Sequence, residues 1–193
     1  MYNGKFIIHI AGPGKCGKDT VAQAISDITG LGYKHSTSYG AAPFFYQAVL
    51  NGELEHEELD KHTYRDLEEC YQARNESQYM RTVWARFIDK MNERTGTELY
   101  KLCIENGNNI LTGIRKKREM QACIDQGIID LNVWICNSMR TQNEDCTQEY
   151  GPELCDFILL NDRRESGEHA KINVKNNLHR ILSAFAYLST KRT

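Results

Sequence analysis

The sequence predicts an α/β fold in which helices cover both faces of a parallel five-stranded sheet. Three observations support this prediction. Short apolar segments alternate with amphipathic ones, a glycine-rich turn separates the first strand-like segment from the first helical one, and the chain has 193 residues. Strands that alternate with helices form parallel sheets with both faces covered. A chain of this length can bury a sizeable core, so residues 1–193 are predicted to form a single domain.

Five segments are predicted to be strands, and the clearest of them is short, rich in β-branched residues and ended by a turn. The first is KFIIHIA, which Gly-Pro-Gly ends. It is expected at the centre of the sheet, since it leads into the glycine-rich turn. The other four are YKHSTS (33–38), NNILTGI (108–114), IIDLNVWIC (128–136) and DFILLN (156–161).

Helices are predicted over residues 18–29, over most of about 40–105, from RKKREM onward and over about 169–189. Gly30 is expected to end the first of these helices. Three of these helical segments have an apolar stripe that should face the core, the helix from RKKREM is polar, and Trp84 is expected to belong to the core rather than to a ligand site. The stripes are Val21, Ile25 and Ile28 in the first helix, Met80, Val83, Trp84, Phe87 and Met91 in 76–92, and Val174, Leu178, Ile181, Leu182, Phe185 and Leu188 in the last.

Composition and charge argue against several classes of protein. The net charge of −2, from 24 Lys and Arg against 26 Asp and Glu, lacks the basic bias typical of nucleic-acid binders. No apolar run is long enough to span a bilayer and no secretory signal is recognisable, so a cytoplasmic protein is expected. Seven irregularly spaced cysteines without a CxxC pair indicate reduced thiols rather than disulfides or a zinc site. The histidines show no ligand spacing, and His9 is expected to be a satisfied core histidine.

The stretch AGPGKCGKDT, residues 11–20, has the pattern of a phosphate-binding loop between a strand and a helix. Read as Gly12-x4-Gly17-Lys18, its glycines let backbone N–H groups converge on phosphate oxygens at the positive end of the helix. Lys18 can then reach the β- and γ-phosphates of a nucleoside triphosphate. The residues expected to bind the nucleotide are Gly12, Gly14, Lys15, Cys16, Gly17, Lys18, Asp19 and Thr20.

Asp19 stands where the common loop pattern has a Ser or Thr whose hydroxyl binds Mg²⁺. Two interpretations are open. The carboxylate can hold Mg²⁺ through a water while Thr20 or backbone amides bind the α-phosphate, or it can be an acid that only complements the helix dipole. The first makes ATP and Mg²⁺ the expected cofactors and Asp19 and Thr20 the candidate metal residues.

Three stretches resemble a known family. GPGKCGKDT is similar to the GxxxxGKDT loop of phage deoxynucleoside monophosphate kinases and, more loosely, to the GxPGxGKGT loop of adenylate kinase. ILTGIRKKREM resembles that family's strand followed by Asp-x-Arg and a nearby glutamate, here Gly113-Ile114-Arg115 with Glu119. CDFILLND resembles its last strand. One departure is that Gly113 replaces the family's aspartate, which leaves no Walker B carboxylate at that position.

The resemblance implies a fold and gives separate roles to two segments of the chain. The implied fold is a P-loop NTPase three-layer sandwich with strand order 2-3-1-4-5. The helical stretch at about 40–105 becomes the acceptor-binding insert, and residues 137–152 become the lid. Many relatives of this fold pair as dimers, so a homodimer is a further expectation.

Arginines are expected around the moving phosphoryl group, because transfer between two polyanions needs positive charge there. Arg140 in the predicted lid is the candidate closing arginine, with an exposed loop arginine as the alternative. Arg115 is expected to point toward the acceptor, and these two with Lys18 form the candidate catalytic set. Arg74 and Arg81 are seven residues apart and are expected to share a helix flank that grips an acceptor phosphate, unless both are solvated.

Tyr39 and Phe44 follow the second predicted strand, where nucleoside monophosphate kinases hold the acceptor base. Stacking on that base and packing in the core are both open for these two rings. With Arg74, Arg81 and Arg115, Tyr39 completes the set of candidate substrate-binding residues.

The predicted function is transfer of the γ-phosphoryl group of ATP to a (deoxy)nucleoside monophosphate. One alternative is a related phage kinase that phosphorylates the hydroxyl of a 5-hydroxymethylated pyrimidine in DNA. That reaction needs a base, and KHSTSYG offers only His35. The other alternative is a module that binds ATP without catalysis. The expected partner is therefore a nucleotide or modified DNA, and no membrane.

Overall fold

The computed structural model describes residues 1–14, 16–54, 64–136, 148–161, 171–177, 180 and 183. Within them, four strands form one sheet: β1 (Ile8–Ala11), β2 (Ile110–Thr112), β3 (Leu131–Cys136) and β4 (Phe157–Leu160). The strands are parallel and lie in the order β2-β1-β3-β4. Ile10 lies opposite both Thr112 and Val133, so β1 is central, as predicted.

Four of the five predicted strands are confirmed, and the second is wrong. The four observed strands keep the predicted order once the segment 33–38 is removed from it. That segment runs beside the start of β2, where the Asn108 side chain takes its hydrogen bonds: Oδ1 accepts from Lys34 N (3.0 Å) and Nδ2 donates to His35 O (2.9 Å). Ser36 then caps a short helix. The backbone of this segment therefore bonds to a side chain and then enters a helix, instead of making the backbone hydrogen bonds of a fifth strand.

The helical segments agree with the prediction more closely. The described helices are α1 (Lys18–Thr29), α2 (Thr37–Gly40), α3 (Ala42–Leu50), α4 (Leu67–Ala73), α5 (Gln78–Met91), α6 (Glu98–Glu105) and α7 (Lys117–Asp125), and residues 171–177, 180 and 183 are also helical. Gly30 ends α1 with φ 75°, in the left-handed region that suits glycine. No helix in the described ranges is long and apolar enough to cross a membrane.

Apolar side chains cover both faces of the sheet. Alternate residues of the strands pack with α1 on one face and with α3 and α5–α7 on the other. The core on the face that α3 and α5–α7 cover contains Trp84, which stacks on Phe45 with ring centroids 4.1 Å apart. The assignment of Trp84 to the core is confirmed. Met80 and Val83 of its stripe are buried, and Phe87 and Met91 pack half-buried against the same core.

His9 and the cysteines behave largely as the sequence indicates. His9 is fully buried in β1, and its Nδ1 lies 2.7 Å from Asn132 Oδ1. Its Nε2 has no hydrogen-bond partner among the described residues, so only one ring nitrogen is satisfied. The described cysteines are all free thiols, and four of the six are buried.

Candidate phosphate-binding site

The candidate loop connects the end of β1 to the start of α1, and two of its glycines allow close approaches. Gly12 has φ 140° and Gly17, the N-cap of α1, has φ 89°. A methyl group at Gly12 would lie 2.6 Å from the carbonyl oxygen of Ile135, and one at Gly17 would lie 2.6 Å from Asn161 Nδ2. Both positions therefore require glycine for backbone conformation and for space.

The side chain of Lys18 folds back over this loop. Its Nζ donates to the carbonyl oxygens of Gly12 (3.0 Å) and Pro13 (2.7 Å). Lys18 is also the first residue of α1, where backbone N–H groups have no partner inside the helix. An ammonium group and a helix N-terminus thus meet in one place, which is an arrangement that attracts anions.

The other predicted nucleotide-binding residues lie around these two features. The Cys16 side chain is buried, and its Sγ lies 4.0 Å from Lys18 Nζ. Burial raises the pKa of the Cys16 thiol, and the nearby Lys18 charge offsets only part of that rise, so the thiol stays neutral. Gly14 is half-buried and Thr20 is exposed on α1. Lys15 lies outside the described residues.

Asp19 connects α1 to the end of β2. Its Oδ1 accepts hydrogen bonds from the hydroxyls of Thr112 (2.9 Å) and Tyr33 (2.7 Å). Burial, followed by the charge of Asp19, raises the pKa of the Tyr33 hydroxyl, so Tyr33 remains a donor. Two hydroxyls therefore fix the orientation of this carboxylate, which is more than a helix-dipole role requires.

Gly113 has a structural reason to lack a side chain. Its φ is 94°, and a methyl group there would lie 2.9 Å from the hydroxyl oxygen of Thr37. That hydroxyl donates to the carbonyl oxygen of Thr112. An aspartate at 113 would thus meet both backbone strain and a steric conflict, so the carboxylate near the end of β2 comes from Asp19 instead.

Asp19 offers a single carboxylate, which fits a Mg²⁺ ion that is bound mainly through substrate phosphates. The described ranges contain no group of three or more His, Cys, Asp or Glu side chains that could hold a metal. Magnesium sites commonly use one or two carboxylates together with phosphate oxygens and waters. Among the described residues, donors reach only Oδ1 of Asp19, which leaves Oδ2 open to such an ion.

Arg74 and Arg81 do not share a helix, so that prediction is wrong. Arg74 follows the end of α4, whereas Arg81 is exposed in the first turns of α5. Ser77 separates the two helices because its side chain accepts a hydrogen bond from Met80 N (3.1 Å) and starts α5. Arg74 instead stacks over the ring of Tyr71, with Cζ 4.6 Å from the ring centroid.

Tyr39, Tyr71 and Arg74 contact one another and are here called the aromatic cluster. The rings of Tyr39 and Tyr71 meet edge to face with centroids 4.8 Å apart. The Tyr71 hydroxyl lies 3.3 Å from Ser36 Oγ, and the next residue, Thr37, is bonded to Thr112. The chain of contacts therefore connects the aromatic cluster to the carboxyl end of β2.

Phe44 belongs to neither the aromatic cluster nor the core. It lies on α3 with 44% of its surface exposed, so the core packing that was one of its two expected roles does not occur.

Arg115 and Glu119 follow β2. Arg115 is exposed, and its carbonyl oxygen accepts from Glu149 N (2.8 Å). Glu119 is buried in α7, where it accepts hydrogen bonds from Tyr100 and Asn92, and burial raises its pKa. Glu119 is therefore part of the core rather than of the site. Arg140 and the lid residues 137–147 lie outside the described residues.

Thr112, Tyr33, Asn161 and Tyr71 were missed by sequence reasoning. Two of them carried a usable signal: Thr112 immediately precedes the departing Gly113, and Asn161 lies in the CDFILLND stretch. Tyr33 fell inside the wrong second strand. Tyr71 is one turn before Arg74, a spacing that allows contact on a helix.

Comparisons with known proteins add little to this geometry. No protein-family model matches the chain, and no curated protein matches it. Among solved structures, a sugar kinase from Janibacter sp., determined without ligand, is 15% identical, with a TM-score of 0.42 over 94% of this chain and 98% of that one. At this identity and TM-score, the function has to be argued from the site itself.

Proposed function

We propose that the chain is an ATP-dependent phosphotransferase of the P-loop class that moves the γ-phosphoryl group of ATP to a (deoxy)nucleoside monophosphate. The observation that carries the proposal is the loop between β1 and α1, where the Lys18 amine and the N-terminus of α1 converge over a glycine backbone. Such a concavity suits the oxygens of a triphosphate chain. The resemblance of GPGKCGKDT to phage deoxynucleoside monophosphate kinases supports the choice of acceptor.

On the donor side, Lys18 and Asp19 have complementary roles. Lys18 offsets the negative charge that develops on the moving phosphoryl group. Asp19, oriented by the hydroxyls of Thr112 and Tyr33, would hold Mg²⁺ against the phosphates. When bound, the ion supplies charge neutralisation of the β- and γ-phosphates.

On the acceptor side, the aromatic cluster and Arg115 offer aromatic and positively charged groups near the end of β2. Tyr39 and Tyr71 can contact a base, while Arg74 and Arg115 can bind a phosphate. A phosphate acceptor is already ionised near neutral pH, so the enzyme needs to position it and needs no general base. Arg140, in the proposed lid, would close over the transferring group.

The test is mass spectrometry of the products after incubation with ATP and Mg²⁺. One reaction offers a panel of deoxynucleoside monophosphates, and the other offers DNA that carries 5-hydroxymethylated pyrimidines. The proposal predicts that a monophosphate gains one phosphoryl group. Phosphorylated DNA would instead favour the hydroxyl acceptor, and ATP binding without any transfer would favour a non-catalytic module.

Two lysine variants make this test specific to the loop. Lys18→Ala is expected to lower turnover about 100-fold or more, since it removes charge stabilisation at the moving group. Lys101 lies on α6, and Lys101→Ala removes a comparable hydrogen bond, from Nζ to Gln126 Oε1 (2.7 Å), so it should leave turnover unchanged. Equal turnover in the two variants would contradict the assignment of the donor site.

A further inference from the structure

We propose that Asn161 is a positioning residue of the phosphate-binding loop, which aims the backbone N–H of Gly17 at the triphosphate. This inference rests on the proposed function and adds a residue with no role in it so far. It concerns the direction of a backbone dipole, not contact between Asn161 and the nucleotide.

Asn161 is held at the end of the sheet and reaches across to the loop. Its backbone N donates to the carbonyl oxygen of Cys136 (2.7 Å), which joins the residue after β4 to the last residue of β3. Its side-chain Nδ2 donates to the carbonyl oxygen of Cys16 (3.1 Å). The side chain therefore links a fixed point of the sheet to one peptide group of the loop.

That peptide group joins Cys16 to Gly17. Because it is planar, a hydrogen bond to its carbonyl oxygen also fixes the direction of the Gly17 N–H. In a planar trans peptide, the C=O and N–H groups point to opposite sides, and the described residues include no cis peptide bond. Because Asn161 holds the Cys16 carbonyl, the Gly17 N–H must point away from Asn161. This N–H precedes α1 by one residue and joins the donors at the helix N-terminus.

The contact also explains part of the need for glycine at position 17. A methyl group there would lie 2.6 Å from Nδ2 and 3.9 Å from Cγ of Asn161. The amide thus packs directly over the Gly17 Cα. Removing the amide leaves the peptide plane free to rotate, whereas a carboxylate in its place would repel the Cys16 carbonyl and add negative charge near the phosphates.

Two substitutions separate positioning from simple packing. Asn161→Asp has nearly the same shape as asparagine but replaces the Nδ2 donor with an oxygen that cannot donate to the Cys16 carbonyl, whereas Asn161→Ala removes side-chain volume as well. Positioning predicts that Asp is the more damaging change for phosphate binding; the added negative charge acts in the same direction, and the Gly17 amide resonance at saturating tripolyphosphate separates the two effects. Packing alone predicts the reverse order.

The experiment is isothermal titration of inorganic tripolyphosphate into the wild-type chain and both variants. The dissociation constant is expected to rise about fivefold in Asn161→Ala and about 30-fold in Asn161→Asp. Asn109→Ala is the matched control, since Asn109 Nδ2 donates to the Phe6 carbonyl oxygen (3.2 Å) just before β1, away from the loop. Its affinity for tripolyphosphate should equal that of the wild-type chain.

The amide resonance of Gly17 gives a readout that a purely structural role would not change. Tripolyphosphate should shift this resonance in the wild-type chain, and the shift should largely disappear in Asn161→Asp. If that variant fails to fold, Asn161→Ala and its Gly17 resonance decide the question.

Each outcome bears on a different claim. Wild-type affinity in both Asn161 variants, or a milder effect of Asp than of Ala, would overturn the positioning role and leave the proposed function standing. A wild-type chain that binds neither tripolyphosphate nor ATP would overturn both.

Discussion

The hydroxyl of Thr112 donates a hydrogen bond to Oδ1 of Asp19 over 2.9 Å, joining the end of β2 to the first turn of α1. In the common phosphate-binding arrangement, the hydroxyl belongs to the loop and the carboxylate to a neighbouring strand. Here the carboxylate follows the lysine of the loop, and the hydroxyl lies on the neighbouring strand, one residue before Gly113. A carboxylate and a hydroxyl therefore meet beside the loop, with the carboxylate on α1 and the hydroxyl at the end of β2.

Asp19→Asn tests whether this carboxylate serves a metal ion. The amide oxygen can still accept from Thr112 and Tyr33, so the free energy of unfolding should change by less than about 1 kcal/mol. Loss of the charge should weaken Mn²⁺ binding about tenfold in the presence of a non-hydrolysable ATP analogue, as measured by electron paramagnetic resonance.

The matched control for that variant is Asp27→Asn on the same helix. Asp27 pairs with Lys171 (2.8 Å) far from the loop, and its replacement should not affect Mn²⁺ affinity. Equal Mn²⁺ affinity in Asp19→Asn and the wild-type chain would show that Asp19 has no part in metal binding.

Gly113→Asp introduces the residue that the resembled phage kinases have at this position, and it should lower the stability of the protein. The positive φ and the nearby Thr37 hydroxyl together should cost about 1–3 kcal/mol of unfolding free energy. Chemical denaturation measures this loss. Gly127→Ala is the control, since Gly127 also has a positive φ, of 62°, but nothing within 4 Å of an added methyl group. A Gly113→Asp chain as stable as the wild-type chain would contradict the account.

Arg74→Ala tests the acceptor side. If Arg74 binds the acceptor phosphate from its place over Tyr71, its loss should raise the KM for the monophosphate about tenfold while the Kd for ATP is unchanged. Arg86→Ala, an exposed arginine on α5, should change neither quantity. An unchanged KM in Arg74→Ala would remove the aromatic cluster from the acceptor site.

His9 should make the fold less stable in mild acid. Burial, with a smaller contribution from the Lys18 charge, lowers the pKa of His9 to about 4 from 6.5, against the opposing effect of its bond to Asn132. Between pH 6.5 and 4, His9 is therefore protonated in the unfolded chain but not in the folded chain. The free energy of unfolding falls by up to about 3 kcal/mol as the pH drops through this window.

Denaturation curves of the wild-type chain and His9→Gln at several pH values check this. The free energy of unfolding of the wild-type chain should fall relative to that of His9→Gln as the pH drops from 6.5 to 4. A constant difference would mean that His9 titrates alike in both states.

Local patterns allowed much of the fold to be predicted from the sequence. The apolar run of β1, the glycine at position 30 and the helical spacing around Trp84 are short-range signals, and the structure agrees with each. The second predicted strand failed because its partner was a side chain, Asn108, more than 70 residues away. No property of residues 33–38 themselves reveals that competition.

The candidate site likewise has one part that could be predicted from the sequence and one part that could not. Gly12, Gly17 and Lys18 were predictable because the loop motif is contiguous. Thr112 and Asn161 lie in stretches that resemble the kinase family, but their contacts with Asp19 and the loop were not predictable, because the order of strands in the sheet brings them near. The pairing of Arg74 with Arg81 failed because their spacing was interpreted without the helix start at Ser77, a signal that was present in the sequence.

The most direct test of the central claim is a crystal structure of the wild-type chain with Mg²⁺ and a non-hydrolysable ATP analogue. We expect the triphosphate to lie in the loop between β1 and α1, within hydrogen-bonding distance of Gly17 N and Lys18 Nζ, and Lys18 to leave the carbonyl oxygens of Gly12 and Pro13 to reach it. A nucleotide bound elsewhere, with Lys18 still on those two oxygens, would contradict this expectation.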